Sequence, residues 1–405
     1  MKFSQMGRIT LASLLSLAVL GITACTRDYT VAYVYTTTTR ANPGLINVYS
    51  VDYQSGSLLQ LPDSPVPSGG KNPVGLVVSP NQKNLYVINR DDNTLVWFAI
   101  GTDGKIYPQK TYNPAGTFPS AIAISPDSKY IYVASTYQTG FSAGTPGPGL
   151  MSIYPINGDY SLGTATSINL GLAPIGIVAK ADPTSTTTTT TTSSFVYVIE
   201  QDTATTNNLL GFARNQTTGA LTALPGTTIT AVNATGYPSG ILPSAITSDP
   251  KGRYVYLTDR SANQVVGYNI SSSGVPTAMN NGPFTTASLP LGITIDPRGR
   301  FLYVANFNSN SVSAFAIDIS TGTLSQSIGS SSQGTGTGPT CVTIENALGI
   351  YLYTSNQLDN SVSGLQLNPS TGALKNIQNT QFPASGLPSC AAAVANGDHA
   401  TQLVQ

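Results

Sequence analysis

The stretch "PLGITIDPRGRFLYVANFNSNSVSAFAIDISTGTL", Pro290–Leu324, holds one complete structural unit. A short apolar run after the proline gives way to Asp-Pro-Arg-Gly, residues suited to a tight turn. "FLYVAN" follows, with the aromatic and β-branched residues of a strand. A polar loop leads into "SVSAFAI", and "STGTL" turns the chain once more. Four short strands are predicted, with no helical period sustained beyond two turns.

The same unit starts again and again along the chain. Its starts are Pro73, Pro119, Pro174, Pro243, Pro290, Pro339 and a truncated Pro388, most of them 46 to 49 residues apart. Four strands at that period are the pattern of a β-propeller blade. The segment "YTVAYVYTTTT" from Tyr29 matches a second strand, and "GLINVYSVDYQSGSLLQL" supplies a third and a fourth. The missing inner strand of blade 1 is then Pro388 to about Asn396. The expected fold is all-β: a seven-bladed propeller of four antiparallel strands per blade, in one domain over residues 31–405. The C-terminal strand completes blade 1, which removes an open strand edge.

Three segments interrupt the repeat. Tyr137–Leu150 lengthens a second-to-third strand loop in blade 3, and Thr227–Leu242 lengthens the approach to blade 5. Both belong to the end of the ring where inner strands start. The Thr-rich Pro183–Ser194 belongs to the opposite end, as a surface loop.

The chain has 3 cysteines. Cys341 in "PTC" and Cys390 in "PSC" occupy one position of adjacent blades, so a Cys341–Cys390 disulfide is expected to staple the ring. It would close a loop of about fifty residues, for which the chain-entropy model gives about 4 kcal/mol. Cys25 ends "LGITAC", which resembles the bacterial lipobox. Lys2, Arg8 and the apolar run Ile9–Leu20 before it read as a signal peptide, too short to span a membrane comfortably. The expectation is a signal over 1–24, a lipidated tether over 25–30 with Cys25 as acceptor, and export to the bacterial cell envelope, periplasmic or outer-surface.

Charged residues make up only 9% of the chain and the formal net charge is zero. Such a surface offers no electrostatic footprint for nucleic acid or anionic lipid, so membrane contact is expected only through the N-terminal lipid, and the protein as a monomer. The single histidine, His399, sits near the C-terminal end, which disfavours a Ser-His-Asp triad or a His-ligated metal. Asp91-Asp92-Asn93 lacks the ligand spacing of a calcium loop. No metal and no cofactor are expected.

Superposing the repeats places Thr36, Asn89, Ser135, Glu200, Asp259, Asn306 and Asn356 at the ends of the second strands, followed by residues that include Arg90, Gln201, Arg260 and Gln357. These are expected to ring one mouth of the channel. Glu200 or Asp259 could serve there as general base, with Asn89, Arg90, Arg260, Asn306 and Asn356 binding substrate. The competing reading is that Asn, Asp and Ser satisfy the loops' own backbone.

The segments "SPDSKYIYVAS", "YVINRDDNTLVWFAI" and "DPRGRFLYVANFNSNSVSAFAIDISTGTL" carry a resemblance to the seven-bladed β-propeller lactonases. That family includes bacterial 6-phosphogluconolactonase and fungal carboxymuconate cyclase. The resemblance implies hydrolysis of a sugar lactone or related ester at the channel mouth. The alternative is a non-catalytic propeller that binds a glycan, peptide or partner protein there.

Overall fold

A computed structural model describes residues 29–39, 42–181, 194–201, 207–230, 233–327, 329, 332–397 and 402–404. The signal segment, Cys25, His399 and all of the Thr-rich insertion except Ser194 lie outside these residues.

Seven antiparallel sheets stand around a channel, each running from an inner strand through three more in chain order. In blade 6 these are Pro290–Ile295, Phe301–Asn306, Ser311–Ile317 and Leu324–Gln326. Blade 1 joins the two ends of the chain as expected. Its inner strand Pro388–Ala395 pairs with Thr30–Thr38, from Ala32 opposite Ala395 to Thr38 opposite Pro388.

Period-2 alternation sends side chains to both faces of each second strand, and both faces are covered by neighbouring blades, so the strands are buried almost throughout. In Asn84–Asn89 every residue is buried. Leu85 and Val87 pack into one cluster with blade 1, while Tyr86 and Ile88 pack into another with blade 3. Apolar clusters of this kind fill all seven joints between adjacent blades. Each large side chain removed from water there contributes about 1.5–3 kcal/mol.

The Tyr-x-Tyr pattern has a second purpose. The inner tyrosine donates across the joint to a carbonyl in the third-to-fourth strand turn of the next blade. Tyr303 Oη reaches Gly372 O at 3.0 Å, Tyr256 reaches Gly322 O at 2.6 Å, and Tyr353 reaches Gly56 O at 2.7 Å. The aromatic residue two positions earlier lies over the same turn. Gly372 has φ 73°, and a Cβ on it would stand 2.2 Å from Phe301 Cδ1. The recurring "TG" of the turns is therefore fixed by both backbone and stacking. Between blades 3 and 4 an ion pair joins the blades. Arg214, buried on blade 4, donates through Nη1 to Asp127 Oδ1 of blade 3 at 3.1 Å, and the Tyr132 hydroxyl there has no hydrogen-bond partner.

Cys341 and Cys390 do meet across the joint of blades 7 and 1, but as free thiols. Their sulfurs are 3.7 Å apart, a contact rather than the ~2.05 Å of a bond. The expected staple is thus not formed in this structure, although the repeat located both partners. Of the insertions, Thr227–Leu242 folds into a two-stranded ribbon, Thr228–Ile229 with Ala234–Thr235. The loop after Tyr137 is pinched by a bridge between Ser142 and Thr145.

Candidate functional site: the upper mouth

The upper mouth is the end where inner strands begin and second strands finish. In six blades the last residue of the second strand faces the proline that opens the inner strand, and in blade 3 the corresponding pair lies two residues inside strands Tyr130–Tyr137 and Thr117–Ile124. Asn89 faces Pro73, Ser135 Pro119, Glu200 Pro174, Asp259 Pro243, Asn306 Pro290 and Asn356 Pro339. In blade 1 this position is Thr38, opposite Pro388. Thr36 instead faces Ala391, two residues deeper in the sheet, so its place in the expected ring is corrected to Thr38.

All seven of these side chains are 0% exposed. Three of them, Asp259, Glu200 and Asn89, hold the chain that leads into the blade. Asp259 accepts from the backbone N–H of Ile241 at 2.8 Å, Leu242 at 3.1 Å, Ser261 at 3.1 Å and Ala262 at 3.3 Å. Glu200 Oε1 accepts from the Gly171 N–H at 2.7 Å. Asn89 accepts from Ser68 Oγ at 2.7 Å and donates to Thr94 Oγ1 at 3.1 Å. Asn306 donates to Ser313 Oγ at 2.9 Å, and Asn356 to Ser363 Oγ at 2.8 Å. The entering chain lies so close that a Cβ on Gly240 would stand 2.5 Å from Asp259 Oδ2. Expected to line the mouth as base or ligand-binding groups, Glu200, Asp259, Asn89, Asn306 and Asn356 instead point away from it into the blade. For the two carboxylates the physical reason is a buried backbone whose donors require acceptors, and for the three asparagines it is bonding to the hydroxyls of Ser68, Thr94, Ser313 and Ser363.

One residue further along, alternation reverses the direction. Thr39, Arg90, Gln201, Arg260, Phe307 and Gln357 each donate a backbone N–H to the residue before the inner proline of their own blade, at 2.8–3.1 Å. Their side chains are exposed or half-buried, as is that of Thr136 in blade 3. Arg90 and Arg260 are thus the two expected residues that the fold does bring to the mouth. Arg90 pairs through Nε with Asp91 Oδ1 at 2.9 Å, with both side chains more than 40% exposed, a pairing worth at most about 1 kcal/mol. Asp91 also accepts from Asn72 Nδ2 at 3.2 Å. Gln201 is partly spent on structure, since its Nε2 donates to Pro243 O of blade 5 at 2.7 Å. Arg260 makes no side-chain hydrogen bond or ion pair among the described residues. Apolar Phe307, Ile241 and Leu358 complete the rim, the last two 44% and 57% exposed. Among the described residues no group of three or more His, Cys, Asp or Glu is placed to hold a metal ion.

A second set of asparagines was not anticipated. Asn93, Asn263 and Asn310 sit in the second-to-third strand turns at positive φ. Their Oδ1 atoms accept from the N–H of Phe118, Leu289 and Gly338 in the following blade, at 2.6, 2.8 and 2.9 Å. The recurring Asn in "DDNT", "SANQ" and "NSNS" was the available signal.

The family model described as "Lactonase, 7-bladed beta-propeller" matches residues 31–170 and 190–344. The chain belongs to that family. Among solved structures it is similar to the periplasmic gluconolactonase PpgL of Pseudomonas aeruginosa, at 18% identity and a TM-score of 0.71 over 91% of this chain and 100% of that one. A candidate 6-phosphogluconolactonase of Bacteroides uniformis gives 20% identity and a TM-score of 0.70 over 91% and 100%. A Lactobacillus plantarum protein gives 17% and 0.66 over 90% and 99%. At these identities the likeness is one of fold. No curated sequence matches.

Proposed function

We propose that this lactonase-family propeller is an exported, lipid-anchored hydrolase acting on a sugar lactone or related ester at its upper mouth. The observation that carries the reading is Arg260, a guanidinium at the mouth with no protein partner among the described residues. It suits the carbonyl oxygen of a lactone, where charge develops during attack by water. Glu200 and Asp259 are committed to caps, and the role of orienting water falls in this reading to Asp91, an exposed carboxylate paired with Arg90. The similar Pseudomonas propeller is named a periplasmic gluconolactonase, which agrees with export by way of Cys25.

The burial of Glu200 and Asp259 favours a second reading, a propeller that binds such a ligand without hydrolysing it. Incubating purified protein with a panel of aldonolactones, and following acid release, separates the two. Hydrolysis that weakens in Asp91→Asn supports the enzyme. Saturable binding with no acid release supports the binder.

A further inference from the structure

The lower end of the channel has a different character from the upper. A cavity of about 380 Å³ opens there among the inner strands of blades 4 to 7 and blade 1, within the size range of small-molecule sites. Its polar wall is confined to consecutive blades. Thr247, Thr294 and Thr343 hold one structural position in blades 5, 6 and 7, opposite Tyr256, Tyr303 and Tyr353 of the second strands. At that position the other blades carry Val77, Ala123, Val178 and Ala392. The three threonine hydroxyls have no hydrogen-bond partner among the described residues. Ser248 also lines the cavity, and its Oγ is unpartnered although the residue is only 5% exposed.

Lys180 of blade 4 completes this wall. It occupies the place filled by Asp249, Asp296 and Glu345 in blades 5 to 7, just before the first-to-second strand turn. Those acids are drawn into their own turns. Asp249 holds Arg253 Nε at 2.9 Å, Asp296 holds Arg298 Nε at 2.8 Å, and Glu345 accepts the Leu348 N–H at 2.8 Å. Lys180 makes no hydrogen bond or ion pair among the described residues. Burial pushes its ammonium below the ordinary lysine range, an effect that the nearby Asp249 charge opposes without cancelling.

We infer that this lower cavity is a second ligand site, built for a monosaccharide-sized polyol bearing one anionic group. One unpaired ammonium matches one negative charge, and an arc of three unpaired threonine hydroxyls matches a chain of ligand hydroxyls. Ala391, Ala392 and Ala393 leave the opposite wall small. The inference stands independently of the chemistry proposed for the upper mouth.

Titration calorimetry on the purified protein tests it, with gluconate and glucose 6-phosphate as charged polyols, glucose as the neutral polyol and acetate as the bare anion. One of the charged polyols should bind saturably at one site, with glucose and acetate weaker by about tenfold or more. The tighter of the two charged probes identifies the anionic group. Lys180→Met should weaken binding about tenfold or more, and the isosteric Thr294→Val by severalfold, while Arg260→Ala at the upper mouth leaves it unchanged. Three results would each overturn the inference: no saturable binding of any probe, wild-type affinity in both Lys180→Met and Thr294→Val, or loss of binding in Arg260→Ala alone.

Discussion

Asp259→Asn separates a cap from a catalytic base. In the folded chain the Asp259 carboxylate serves four backbone N–H groups and Gln264 Nε2, all at 2.8–3.3 Å, on a side chain with 0% exposure. The amide keeps one oxygen for Leu242, Ser261 and Ala262. It places an NH₂ where Oδ2 now accepts from Ile241 and Gln264, so donors face donors. A charge-assisted bond is lost and a buried donor is stranded, together about 3 kcal/mol. With an unfolding entropy of about 2.1 cal/mol/K per residue, a chain of 405 residues has about 0.85 kcal/mol/K. The melting temperature should therefore fall by about 4 °C. Thermal unfolding by circular dichroism reads this directly, and lactone turnover at 25 °C should stay within about twofold of wild type. A variant with unchanged melting temperature and abolished turnover would refute the reasoning and restore Asp259 as a catalytic group.

Other outcomes follow from the joints between blades. Tyr303→Phe removes a buried donor from Gly372 O and should cost about 1–2 kcal/mol in urea unfolding. For Asp127, burial pushes the carboxyl up, but hydrogen bonds from Arg214 and Ser125 outweigh it and hold it below the usual range. That contribution is present above the unfolded pKa of about 4 and is lost as pH falls through the lower folded value. Stability should thus drop more steeply below about pH 4 in wild type than in Asp127→Asn.

The fold was legible because one unit is written seven times, and each copy carries its turn chemistry in Pro, Gly and Asn. The blade-1 register slipped at Thr36-Thr37-Thr38-Thr39, where a run of one residue offers no mark for the strand end and a register shift falls between Thr37 and Thr38. The site was legible only in part. A polar residue at a strand end declares its type but not its direction. Asp259 and Glu200 were turned inward by backbone donors up to 29 residues away in sequence, and it was the residues one alternation step later, Arg90, Gln201, Arg260 and Gln357 among them, that reached solvent. The lower threonines read as ordinary β-formers, since the cavity exists only once blades 4 to 7 stand side by side.

The most direct measurement is the KM for lactone hydrolysis in Arg260→Ala. If the upper mouth binds the lactone through this guanidinium, KM rises by about tenfold, roughly one charge-assisted hydrogen bond, with the melting temperature unchanged. An unchanged KM in a variant that still turns over the lactone would contradict the proposed site, and no turnover of any lactone by the wild-type protein would contradict the proposed activity.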